Sequence, residues 1–206
     1  MRALGVRAVV MALVGIAMAA ATAQALTPTE TVQARVDQAV RALAPTGAAT
    51  DADLRRAQVR RAADGLFDFE EMGRRTLGRH WADRPTAERE EFVRLFTGLM
   101  ARAYLGKIDR YAGEAITYVG ERVDGDQASV QSRVVTAKKS EIPIEYRLHR
   151  VGDRWAAYDV FVENVSLVAT YRSQFDRIIQ AGGFPDLLKR LRDKEREGVA
   201  DTAAAR

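Results

Sequence analysis

The chain has 206 residues, with 32 basic against 28 acidic side chains and no cysteine. Setting aside Arg2 and Arg7 leaves 30 basic residues, most of them interleaved with Asp and Glu, so the clustered positive field that captures nucleic acid is missing. The lack of cysteine excludes disulfides, thiol catalysis and thiolate metal sites.

The first 25 residues read as an export leader. Arg2 and Arg7 supply a positive start, Val9 to Ala21 is an uncharged apolar run, and Ala23-Gln24-Ala25 is a small-x-small cleavage triplet. The run is too short and too alanine-rich for a stable membrane anchor, and no cysteine follows for lipid attachment. The expected organisation is therefore a cleaved signal peptide over 1–25, a single domain over 26–195 and a frayed C-terminal tail over 196–206, acting outside the inner membrane.

From Thr27 to Leu43, Val32, Val36, Ala39, Val40 and Leu43 recur at helical spacing, with Pro28 tolerated in the first turn. Ala44 to Thr50 reads as a loop. Asp51 or Asp53 then caps a second helix towards Leu66, whose Arg55, Arg56, Arg60 and Arg61 form a solvated outer face. Asp68 is the expected N-cap of a short helix over Glu70 to Leu77, which Gly78 ends. Pro85-Thr86 opens what reads as the longest helix, to about Arg110, with a stripe of Phe92, Leu95, Phe96, Leu99, Met100, Ala103 and Tyr104.

Past Gly113 the apolar period falls from 3.6 to 2. Four strands follow, at Ala115 to Val123, Ala128 to Thr136, Ile142 to His149 and Trp155 to Val162. Asp124-Gly125-Asp126 and Gly152-Asp153 mark tight turns between them, giving an antiparallel meander. Helix resumes at Val165, with Asn164 or Ser166 as cap, and stops at Gly182-Gly183. A last short helix runs from Pro185 to about Lys194. The layout is α+β, a curved four-stranded antiparallel sheet wrapped by helices into a cone whose inside can hold an apolar ligand.

The usual chemistry is missing. His80 and His149 are the two histidines, and neither sits in a metal or catalytic spacing. No nucleophile elbow or phosphate loop is present. Asp159, in the fourth strand between Tyr158 and Val160, is the one acid placed for burial in such a cone. It reads either as a structural anchor or as the base of a cone-fold enzyme acting on a small apolar substrate.

Four segments, FDFEEMGRRTLGRHW at 67–81, TAEREEFVRLFTGLMARAYLGKI at 86–108, IPIEYRL at 142–148 and RWAAYDVFVENVSLVATYRSQF at 154–175, together resemble the MlaC family. That family is also known as the toluene-tolerance auxiliary proteins. The resemblance covers roughly residues 30–195. It implies a nuclear-transport-factor-like cone with a deep apolar pocket and a periplasmic phospholipid shuttle, not an enzyme. The implied partners are an inner-membrane Mla ABC transporter with its MCE-domain protein and an outer-membrane lipoprotein–porin complex, the purpose being outer-membrane lipid asymmetry. A hopanoid-associated branch is similar. No cofactor is implied beyond phospholipid cargo, no metal, and no nucleic-acid partner. The chain departs from the pattern at Asn164, where Gly is frequent, and at His80, where an aromatic is common.

Candidate lipid-binding residues face the helix–sheet interior: Leu77, Phe96, Leu99, Met100 and Tyr104 from the helices, Ile144, Tyr146, Val160 and Val162 from the strands, and Val165, Val168, Tyr171 and Phe175 from the following helix. The same residues are also what a fully packed core requires, as in an exported scaffold with no ligand. Arg147 and Arg172 are candidates for a phosphate head group, the competing role of each being a surface salt bridge.

Overall fold

The computed structural model describes residues 26–43, 52–108, 113–136 and 139–204. The leader at 1–25, the loop at 44–50 and the cap candidate Asp51 lie outside the described residues. Five helices and five strands follow in the order α1 (Pro28–Leu43), α2 (Ala52–Leu66), α3 (Phe69–Leu77), α4 (Thr86–Ile108), β1 (Ala115–Asp124), β2 (Gln127–Val135), β3 (Glu141–Val151), β4 (Arg154–Val162), β5 (Val165–Ser166) and α5 (Leu167–Ala204). A 3₁₀ turn, Gly78–His80, follows α3.

Local chemistry sets the helix ends. Thr27 and Glu30 form a reciprocal capping box: the Glu30 N–H donates to Thr27 Oγ1 at 3.2 Å and the Thr27 N–H donates to Glu30 Oε2 at 2.8 Å. Pro28 then occupies the first helical position, where its missing N–H costs nothing. Asp68 caps α3, its Oδ1 accepting from the Glu71 N–H at 2.9 Å, and Gly78 ends that helix at φ 53°. These ends agree with the sequence.

The strands pair in sequence order, all antiparallel. Gly125 (φ 56°) and Gly152 (φ 58°) each take the first position of a two-residue loop, where left-handed backbone matches the twist of the hairpin. Bulges interrupt β1 between Tyr118 and Gly120 and β4 at Tyr158, opposite Arg147/Leu148. An extra residue on one strand of a pair bends it, so the two bulges curve the sheet.

Two features correct the sequence reading. First, the sheet has five strands. Val165 pairs with Val162 in β5 and does not start a helix. Glu163 (φ 50°) and Asn164 (φ 64°) form the two-residue turn between β4 and β5, so Asn164 is a turn residue, not a helix cap. Ser166 is the cap of α5, its Oγ accepting from the Ala169 N–H at 2.9 Å. Left-handed backbone also explains why Asn can stand where the resemblance expects Gly: these two tolerate that region best. Asn164→Gly should leave stability nearly unchanged, whereas the β-branched Asn164→Val should destabilise by about 1–2 kcal/mol, readable as a drop in denaturation midpoint.

Second, α5 reaches Ala204, past the expected end near Lys194. Gly183 (φ 77°, ψ 172°) breaks α5 into two arms, where the sequence places a helix stop, so α4 remains the longest uninterrupted helix. The distal arm is pinned to α4 by Arg192–Glu91 and Arg94–Glu195, both at 2.7 Å.

Two cores result. Met72, Leu77, Phe92, Leu95, Phe96, Met100, Val168, Phe175, Phe184, Leu187, Leu188 and Leu191 fill the space between α3, α4 and both arms of α5. Val32, Leu66, Ala128, Val130, Tyr146, Leu148, Trp155 and Ala157 form the second, where α1 and the end of α2 cover one face of the sheet. Phe67 packs against both and bridges Ala157 at the β4 edge. No helix among the described residues is long and apolar enough to cross a membrane.

Candidate functional site

Strand register puts the candidate residues of the sheet into rows across its α1-covered face, because directly opposed residues share a face. One row is Ala128, Leu148 and Ala157. The next is Val130, Tyr146 and Val160. The third is Tyr118, Ser132, Ile144 and Val162. Cover thins along these rows. Leu148 is fully buried under Val32 and Leu66, Tyr146 is 8% exposed, and Val162 is 37% exposed, with Val165 beside it at 62%. The face is thus a trough, closed where α1 and α2 end against it and open at the β4–β5 turn. Main-chain geometry holds α1 there: the Thr29 N–H donates to Glu121 Oε2 of β1 at 2.7 Å, a carboxylate at a helix N-terminus.

The structure brings Ile144, Tyr146, Val160, Val162 and Val165 together on that trough. Leu77, Phe96, Met100, Val168 and Phe175 belong to the helical core, each 5% exposed or less, with Leu99 and Tyr171 half-buried against it. Tyr104 lies in α4, and its side chain is outside the described residues.

Neither head-group candidate faces the trough. Arg147 alternates with Tyr146 and Leu148, so it points to the other side of the sheet, where it pairs with Glu145 at 2.5 Å and lies over the Phe161 ring. Arg172 donates from Nε to the Arg75 carbonyl at 2.7 Å, which fastens α5 to the last turn of α3.

Asp159 is 7% exposed and alternates away from the trough. Its Oδ1 accepts from the N–H groups of Val160 (2.8 Å) and Val168 (3.0 Å), and its Oδ2 from the Ser166 hydroxyl (2.6 Å). The carboxylate therefore ties β4, β5 and the first turn of α5 into one corner. These three contacts are those of a structural anchor. Asp159→Ala strands two N–H groups and should cost about 3 kcal/mol, measured by denaturant titration.

The histidines are tethers. His80 Nε2 and Arg79 both meet Asp176 Oδ1, at 2.8 and 2.9 Å, linking the turn after α3 to α5. His80, then Arg79, hold the Asp176 carboxyl below its usual range. His149 Nε2 meets Asp68 Oδ2 at 3.0 Å, joining β3 to the cap of α3. Among the described residues no group of three or more His, Asp or Glu is placed to hold a metal ion.

Sequence reasoning passed over two residues of the trough, Tyr118 and Ser132. Their hydroxyls are buried without a hydrogen-bond partner among the described residues. Burial pushes the Tyr118 phenol up out of its ordinary range, with Tyr146 and Asp37 adding to the shift, and pushes Tyr146 up to about 12. The Ser132 hydroxyl lies close enough to Tyr146 to oppose that shift, yet makes no hydrogen bond of good geometry. The only sequence signal was a polar residue at a core position of the β2 alternation.

The model of the MlaC protein family matches residues 33–193. The chain belongs to the MlaC family. The match spans the helical core, every strand, the anchor Asp159 and all of the second core except Val32. Among solved structures, the fold is similar to that of a phospholipid-binding protein from Ralstonia solanacearum in complex with a phospholipid. That likeness has a TM-score of 0.72 at 23% sequence identity, over 84% of this chain and 98% of that one. A fold of helices around a curved antiparallel sheet is thus common to both.

Proposed function

We infer that the protein is a periplasmic phospholipid carrier, binding diacyl lipid in the trough between the curved sheet and its helices. The observation that carries this reading is the graded, largely apolar sheet face, open at one end, in a chain of the MlaC family. A fold relative in complex with a phospholipid supports it. Acyl chains gain ~0.8 kcal/mol for each CH₂ removed from water, so an apolar trough suffices to hold them and no catalytic group is needed.

The lining set is Ile144, Tyr146, Val160, Val162 and Val165 from the strands. In this reading the cargo passes between an inner-membrane ABC transporter with an MCE-domain protein and an outer-membrane lipoprotein–porin complex, sustaining outer-membrane asymmetry. Binding this strong requires a partner or an opening motion for release. A transfer assay tests the reading. Fluorescent phospholipid should move between two vesicle populations in proportion to added protein and be recovered chemically unchanged. No movement, or hydrolysed lipid, would refute it.

A further inference from the structure

Apart from Glu121 at its margin, which holds α1, the trough is apolar except for one spot. Tyr118 of β1 stands directly opposite Ser132 of β2, and Tyr146 of β3 is the diagonal neighbour of Ser132 on the same face. Ser132 is 2% exposed, yet its Oγ has no hydrogen-bond partner among the described residues, and neither has the buried Tyr118 hydroxyl. Burying a hydroxyl unpartnered is unfavourable, and buried polar groups in folded proteins are nearly always satisfied. Phe and Ala or Val at these positions would keep the β pattern without that cost. Tyr118 and Ser132 share a row with Val162 but lie across the sheet from its exposed rim, and Tyr146 stands one row nearer the sealed base at Leu148. Ile144 stands opposite Ser132 and Val160 opposite Tyr146.

A group that satisfies the Tyr118 and Ser132 hydroxyls must carry a hydrogen-bond acceptor and still be compatible with apolar walls. A charged phosphate is not, because losing its hydration there would be far too unfavourable. A carboxylic ester is: its carbonyl oxygen accepts from O–H donors, and acyl chain follows directly on one side. Resting on the carrier reading above, we propose that the Tyr118 and Ser132 hydroxyls, with Tyr146 beside them, form an ester-recognition site that seats a glycerophospholipid by its acyl carbonyl and fixes how deeply it enters. The site makes the carrier selective for ester-linked over ether-linked lipid.

The test offers the mature protein equal amounts of a dioleoyl diester phosphatidylethanolamine and its dioleyl diether analogue in mixed vesicles, then weighs the bound lipid by native mass spectrometry. Wild-type protein should load the diester about fivefold over the diether, the ratio expected for one hydrogen bond in a buried site. Tyr118→Phe combined with Ser132→Ala should bring that ratio to one. Ser132→Ala alone, which only removes an unpartnered hydroxyl, should fold with an unchanged or raised thermal midpoint and a reduced ratio. Equal loading of both lipids by wild-type protein would overturn the ester site and leave the carrier standing, the hydroxyls then holding water. A preference that survives in the double variant would also overturn it. Loading of neither lipid would overturn the carrier reading itself.

Discussion

Val162→Trp should abolish lipid loading, lowering bound phospholipid by about tenfold or more, while the protein stays folded. Val162 is 37% exposed at the open end of the trough, in one row with Tyr118, Ser132 and Ile144. An indole there has room to turn across that row without invading the sealed core, so its effect on stability should be within about 1 kcal/mol. It occupies the entrance that acyl chains need, and each CH₂ kept in water forfeits ~0.8 kcal/mol. Val119→Trp is the control. Val119 is also exposed, but lies beside Gln131, Glu145 and Phe161 in a shallow depression on the other side of the sheet. It should leave loading unchanged. Bound lipid measured by extraction from both folded variants decides the matter: equal loading in the two would remove Val162 from the entrance. Val168→Trp contrasts with both. That residue is 5% exposed within the helical core, so a larger side chain there overpacks the core instead of plugging a cavity.

The largest loss of stability is expected from Phe92→Ala, about 3–5 kcal/mol. Phe92 is fully buried, and its ring lies 5.8 Å from Phe96 of the same helix, 5.7 Å from Phe175 and 6.3 Å from Phe184. The last two belong to opposite sides of the Gly183 break, so one side chain joins α4 to both arms of α5. A loss this size is a large share of the net stability of an ordinary domain. Chemical denaturation should show an earlier midpoint with a similar slope. A shift below 1 kcal/mol would show that the helical core collapses into the gap or is loosely packed to begin with.

Much of this fold was legible in the chain. The change of period at Gly113 and the turns at Gly125 and Gly152 located the meander, and Asp68 and Gly78 fixed both ends of α3. β5 was hidden because its turn, Glu163-Asn164, carries no glycine and its two residues run straight into a helix. The distal arm of α5 looked short because its sequence past Lys194 has few large apolar residues. Ion pairs to α4 contribute along this arm, and sequence spacing alone could not show that Arg192 would meet Glu91. The site divides the same way. Alternation in β3 and β4 gathered Ile144, Tyr146, Val160 and Val162 correctly onto one face. A helical stripe such as Phe96, Leu99 and Met100 reports only that a face is buried, not whether lipid or another helix buries it. Tyr118 and Ser132 escaped notice because an unsatisfied hydroxyl is a property of three-dimensional neighbours, invisible in a strand pattern.

Native mass spectrometry of the mature protein, isolated from a bacterial periplasm without detergent, tests the central claim most directly. The account predicts an added mass equal to that of an intact diacyl phospholipid, released by solvent extraction and identified by its fragments. A bare protein mass that stays unchanged after incubation with phospholipid vesicles would contradict it.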